Sequence, residues 1–173
     1  MQNLIINITQ ENFDLLQHKD FACFLLSDSL SETFLAEFIN QTKAKEKLCL
    51  IYGKKAPEIY EKYLPDGVVF DLSHEEKPQK ILKEFKTKNP KALIGAISRN
   101  RRHETMLISE CEPEFIIFRL WNDGIDKSLE LLEWYGEFFL IQYAVWPQEP
   151  FDFSKVSADF IIISDDEAKK ITF

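Results

Sequence analysis

The sequence predicts a compact closed (β/α)8 barrel, a TIM barrel with shortened helices, and three observations lead there. The first is eight short apolar runs: Leu4–Ile8, Phe21–Leu26, Leu48–Tyr52, Gly67–Asp71, Ala92–Ile97, Phe115–Arg119, Phe138–Val145 and Asp159–Ile163. The second is their spacing, with midpoints roughly 18 to 26 residues apart, the interval of a strand plus a helix around a parallel sheet. The third is texture. Leu25-Leu26, Val68-Val69-Phe70, Ile116-Ile117-Phe118 and Ile161-Ile162-Ile163 are continuous rather than alternating, as strands buried on both faces must be. Eight such units close a barrel. At 173 residues the chain is short for a fold that usually takes about 200 or more, so a single domain over 1–173 needs trimmed helices.

The connecting segments follow in order. After Thr9 there is room for little more than a turn over Glu11–Gln17. Ser31-Glu32-Thr33-Phe34 opens a helix whose Phe34, Leu35, Phe38 and Ile39 form one apolar stripe. Pro57 opens the next, with Ile59, Tyr60, Tyr63 and Leu64 as its buried face. Pro78 starts a third, carrying Ile81, Leu82 and Phe85 and ending at Lys88-Asn89-Pro90. A fourth is expected to start at the Arg99–His103 stretch, and a fifth over Ser128–Tyr135 with Gly136 as its stop. Pro147–Ser157 holds two prolines and leaves space for only a short helix. Ser164-x-x-Glu167 reads as a capping box for the last.

Three strands share a lead-in. Pro65-Asp66-Gly67, Pro113-Glu114-Phe115 and Ala158-Asp159-Phe160 begin 48 and then 45 residues apart, about two βα units, so a quarter-barrel repeat is expected. Its acid falls at the start of the strand, the end of a barrel that serves stability rather than chemistry.

Composition narrows the function classes. The apolar fraction is 45% with fifteen Phe, and 29% of residues are charged, the balance of a globular chain. No run approaches the ~20 apolar residues of a membrane span, and Met1–Asn7 lacks the cationic flank and apolar core of a secretory leader. A cytoplasmic protein with no membrane partner is expected. A net charge of −8 opposes nucleic acid as a partner, because such binding draws on Lys and Arg neutralising phosphates. Cys23, Cys49 and Cys111 have no zinc spacing and read as reduced thiols within the fold.

Function in this fold resides at the carboxyl ends of the strands and the loops after them. The sharpest cluster there is Ser98, Arg99, Arg101, Arg102 and His103, where three arginines crowd a helix start already carrying partial positive charge. Anions must balance them. They come either from a phosphate or carboxylate ligand, with Lys54 and Arg119 in support, or from Asp71, Glu75 and Glu76 of the neighbouring loop. Asp28, Asp71, His74, Glu75 and Glu76 have no diagnostic metal spacing and read as a solvated acidic rim. No metal or cofactor is expected. The phosphate pocket that many barrels keep after strands seven and eight is also missing: Trp146-Pro147 is bulky and short of a donor, and Ser164-Asp165-Asp166-Glu167 uses its own side chains on the free N–H groups.

Leu93-Ile94-Gly95-Ala96-Ile97-Ser98, followed by Glu114-Phe115-Ile116-Ile117-Phe118, resembles the fifth and sixth strands of the thiamine phosphate synthase and TenI-type barrel family. Asp66-Gly67-Val68-Val69-Phe70 is similar to that family's fourth strand and Ala158–Ser164 to its last, and Arg102-His103-x-x-Met106 resembles a diverged subgroup. The likeness runs from about Phe21 onward. It implies a barrel, and a thiamine-pathway site that this chain has largely lost. The family's Arg-x-Lys pyrophosphate clamp falls near Leu26 and Asp28, its Asn-Asp at Tyr52 and Gly53, its Mg2+-binding Asp near His74 and its Gly-Gly near Val145-Trp146. Its Lys after the sixth strand has no clear counterpart, with Lys127 in the region; Ser98, offset by one, and Ser164 match.

The sequence therefore points to a diverged thiamine-phosphate-synthase-like barrel without the synthase reaction, whose catalytic residues are unassigned. A small anionic or phosphorylated ligand is expected on Ser98, Arg99, Arg102, His103 and Arg119. Two alternatives stand beside it. One is a weak synthase or TenI-like isomerase; the other is a non-catalytic homodimer joined through the aromatic stretch Trp134–Phe153, with Trp146, Phe151 or Phe153 at the contact.

Overall fold

A computed structural model describes residues 3–171. Eight parallel strands close into a barrel in chain order: β1 (Asn3–Ile8), β2 (Cys23–Ser27), β3 (Leu48–Tyr52), β4 (Gly67–Asp71), β5 (Leu93–Ile97), β6 (Phe115–Leu120), β7 (Gln142–Pro147) and β8 (Phe160–Ser164). The seam is as regular as the rest, with Ile5 of β1 opposite Ile162 of β8 and Asn7 opposite Ser164. Six α-helices surround it: α1 (Glu32–Ala44), α2 (Ala56–Tyr63), α3 (Pro78–Lys88), α4 (Arg102–Ser109), α5 (Ile125–Phe138) and α6 (Asp165–Ile171). The two connections too short for a helix hold single 3-10 turns, Asp14–Gln17 and Phe153–Lys155. None of the described helices is long and apolar enough to cross a membrane.

Local signals set the helix starts. The Ser31 side chain accepts from the Phe34 N–H at 3.3 Å, and Ser164 accepts from Glu167 N–H at 3.2 Å, each satisfying a donor that the first helical turn leaves free. Proline lies in the first turn of both α2 and α3. At the other end Gly136 does not stop α5, which runs on to Phe138. The reason is tertiary: Tyr135 is fully buried, stacks on Phe139 at 4.8 Å and accepts the Phe139 N–H at its carbonyl, so packing overrides the glycine. The apolar run Phe138–Val145 is accordingly split, its first residues closing α5 and its last forming β7. β2 likewise starts at Cys23 rather than Phe21.

Two apolar cores result. Alternate strand residues fill the bore with Ile5, Leu25, Leu50, Val69, Ile97, Ile117, Ala144 and Ile162, while their neighbours face the helices. Gly95 is glycine for a steric reason, since a Cβ there would lie 2.6 Å from the Phe115 ring that crosses the bore. The quarter-barrel repeat has a mechanical meaning. Asp66 accepts the Cys49 N–H at 2.8 Å, Asp159 accepts the Tyr143 N–H at 2.9 Å, and Glu114 accepts the Ile94 N–H. Each acid also gives its own N–H to the carbonyl of that same residue. A two-way clip thus ties β3 to β4, β5 to β6 and β7 to β8 at their amino-terminal ends.

Candidate functional site

The alternation that fills the bore also decides what meets at its carboxyl end. Two residues beyond Leu50, Val69, Ile117 and Ala144 lie Tyr52, Asp71, Arg119 and Trp146. They converge. Arg119 Nη2 donates to the Tyr52 hydroxyl at 2.8 Å, and Nη1 lies 3.0 Å from Asp71 Oδ2. The guanidinium sits over the Trp146 ring at 5.5 Å, and Trp146 meets Tyr52 edge to face at 5.5 Å. Arg119 is only 18% exposed and Asp71 31%, so the pair is partly withdrawn from water and strengthened by it.

Asp71 is fixed on its other oxygen by the Ser73 hydroxyl at 2.6 Å and the Ser73 N–H at 3.1 Å. Burial pushes its carboxyl pKa up, but the Ser73 hydrogen bonds and the Arg119 charge outweigh burial and hold it below the usual value. Tyr52 and Asp71 line a cleft of about 640 Å3 between the loops after β3 and β4, together with Lys54, His74 and Glu75. Gly53, at φ +126°, lines the same cleft, and a Cβ there would lie 2.2 Å from the Asp28 carboxylate. Asp28 in turn accepts the Lys55 N–H at 2.8 Å, occupying the start of α2.

The structure distributes the predicted arginine cluster over three environments. Ser98 is buried and turned toward α4, where its Oγ lies 3.2 Å from Thr105 Oγ1 and donates to the Arg99 carbonyl at 2.9 Å. Arg102 lies over the Trp134 ring of α5 at 5.0 Å, between helices rather than in the bore. Arg101 approaches Glu104 at 3.9 Å, and His103 is exposed on α4. Arg99 follows the end of β5, where the ladder to β6 is prolonged by Ser98 N–H to the Ile117 carbonyl at 3.1 Å. Asn100 Nδ2 donates to the Arg119 carbonyl at 2.8 Å and ties this loop to the mouth. Of the acids expected to balance the arginines, Asp71 takes Arg119, while Glu75 and Glu76 are exposed.

Two mouth residues, Tyr52 and Trp146, lie outside the ligand-binding set expected from the sequence. Tyr52 was legible, being two residues past an inward Leu50. Trp146 reads as bulk in a turn, and its use as a cation platform needs the β6–β7 register that sets it opposite Arg119. The carboxyl end of β8 is structural: Asp165 is 2% exposed and accepts from Thr9 N–H at 2.9 Å, Thr9 Oγ1 at 2.8 Å, Gln10 N–H at 3.0 Å and Asp166 N–H at 3.1 Å. It locks the loop after β1 to α6 and is unavailable to a ligand. Among the described residues no group of three His, Cys, Asp or Glu is placed to hold a metal ion.

These features define a (β/α)8 barrel whose mouth is closed by an arginine, its carboxylate and two aromatic rings. The same fold is found in solved structures. A citrate synthase, SbnG, matches in two structures, one of a variant with TM-score 0.67 and one with 0.61, each at 12% identity over 99% of this chain and 89% of that one. KGPDC from Streptococcus mutans matches with TM-score 0.63 at 10% identity, covering 98% of this chain and 90% of that one. At such identities the likeness is one of fold. No protein-family model matches the sequence, and no curated protein matches it either.

Proposed function

We propose that the protein binds a small carboxylate or phosphate anion at the carboxyl end of the barrel, with Arg119 as its anchor and Arg99 and Lys54 as outer cations. The observation that carries this reading is the Arg119 guanidinium itself: four-fifths buried, oriented by Tyr52 and Trp146, and neutralised by a single partly exposed carboxylate. A guanidinium has five N–H donors, so donors remain after Tyr52 and Asp71 are served. The Tyr52 hydroxyl accepts from Arg119, which leaves its own proton to donate into the cleft. Ser98 and Arg102, which the sequence places in the same site, have partners in the helix layer, so the proposal centres on the bore.

The chain's motifs support descent from the thiamine phosphate synthase type of barrel, and the same residues argue against that reaction. Joining its substrates requires metal-assisted stabilisation of departing pyrophosphate, whereas the clamp positions here hold Leu26 and Asp28, the latter engaged on the Lys55 N–H. A small-anion binder derived from such a barrel fits both the motifs and the altered clamp positions.

Thermal melts in sulfate and in chloride at matched ionic strength test the site. Sulfate at about ten times its Kd adds about 1.4 kcal/mol to the native state, so Tm should rise in sulfate beyond the chloride value. Arg119→Gln should remove that difference, Arg99→Ala should reduce it, and Arg102→Ala should leave it intact. Equal shifts in the two salts for the wild type reject the reading.

A further inference from the structure

Among the described residues, the amino-terminal end of the barrel presents an apolar hollow. Leu50, Leu93, Phe115, Phe160 and Cys23 line an axial well of about 270 Å3, with Leu48 at its rim. In a βα barrel the strand starts, the helix ends and the loops between them share this one face, and five of the seven large apolar side chains exposed in the described structure belong to it. They are Leu48, Leu64, Phe138, Leu140 and Ile171. Leu140 is the extreme, at 102% of its reference exposure, beside Phe138 at 69%. It stands two residues before Gln142, which lines the well, so knob and hole are separated by at most about 7 Å of chain.

We propose that this face is a homodimer interface in which Leu140 of each copy enters the apolar well of the other. The occupant is a second copy because the projecting group and the cavity that fits it lie side by side on one chain. A two-fold axis between them satisfies both at once, as a self-complementary contact requires. Charge permits the contact even though the chain carries −8 overall. The acids leading into β4, β6 and β8 are turned onto backbone N–H groups. Lys45 and Lys47 donate to Gln17 Oε1 at 3.1 Å and to the His18 carbonyl at 2.6 Å. The remaining exposed charges on the loops of this face, Lys19, Asp20, Glu46, Lys91 and Glu112, are of both signs. A standard interface takes about 800 Å2 per partner, about one-twelfth of this chain's 9951 Å2.

Sedimentation equilibrium over a concentration series should show a reversible dimer. Leu140→Asp, a substitution at a side chain free of contacts in the single copy, should weaken it at least 100-fold while circular dichroism and the melting profile of the monomer stay unchanged. Cys23 lies in the well, so Leu140→Cys in a Cys111→Ser background, treated with diamide as oxidant, should give a covalent dimer on a non-reducing gel. Adding Cys23→Ser should abolish it. A single monomeric mass up to several hundred micromolar overturns the proposal, whatever else occupies the well. A dimer indifferent to Leu140→Asp, or a cross-link that persists without Cys23, overturns it equally.

Discussion

The two ends of this barrel solve opposite problems with the same residue types. At the amino-terminal end Asp66, Glu114 and Asp159 face backbone N–H groups of the preceding strands, so their charge is spent on holding neighbouring strands together. At the carboxyl end Asp71 faces an arginine, and that arginine faces two aromatic rings and a cleft. A carboxylate bonded to the backbone is fixed by the fold and cannot exchange partners without breaking it. A carboxylate bonded to a guanidinium side chain is exchangeable, because another anion can take over part of the same donor set. Asp165 warns against judging by position alone, for it lies at the carboxyl end yet behaves as the amino-terminal acids do.

The largest effect should come from that exception. Asp165→Ala strands four donors in a nearly inaccessible site and should cost about 3 kcal/mol or more in urea unfolding, since each unpaired buried group costs about 1–3 kcal/mol. A loss below about 1 kcal/mol would show that water replaces it freely and would blur the contrast between the ends.

Asp159→Ala and Asp66→Ala each leave one strand N–H without its side-chain acceptor, so a loss of about 1–3 kcal/mol apiece is expected. Because the two clips join different strand pairs, their effects should add within about 0.5 kcal/mol. Strong non-additivity would mean that the clips act through one shared distortion rather than as separate repeats.

The smallest effect is a difference in acid sensitivity. The folded-state pKa of Asp71 lies below its unfolded value of 3.8, so its stabilisation is fully present above that value and is lost as the pH falls through the lower folded value. Urea midpoints measured downward from about pH 5 should therefore fall less steeply for Asp71→Asn than for the wild type below about pH 4. Parallel curves would mean that the Arg119 pair contributes nothing to the titration.

Much of this molecule was readable from its chain. Continuous apolar runs gave the strands, Ser31, Pro57, Pro78 and Ser164 marked helix starts, and the two stunted connections after β1 and β7 were visible as lengths. These are local properties, set within a few residues by backbone sterics, capping and burial on both faces. The end of α5 failed because aromatic packing around Tyr135 outweighed a glycine's local preference. The repeat of acids was visible too, although its purpose was not, since the N–H that each one satisfies lies 16 to 20 residues away.

The composition of the mouth was decided by the tertiary structure. In sequence, Arg99, Arg101 and Arg102 form the obvious cationic cluster and Arg119 is a lone residue at the end of an apolar run. Barrel closure reverses that ranking. Which cation enters the bore depends on strand parity and on the register with neighbours that are distant in the chain, and these set Arg119 opposite Trp146 and within reach of Tyr52, 67 residues away. Arg102, a few residues past β5, is carried by a helix to the ring of Trp134 instead. The sequence by itself determined the barrel, because each strand and helix answers to its own neighbours; only the closed sheet could determine the site, because a side chain's surroundings there come from strands the local chain never meets.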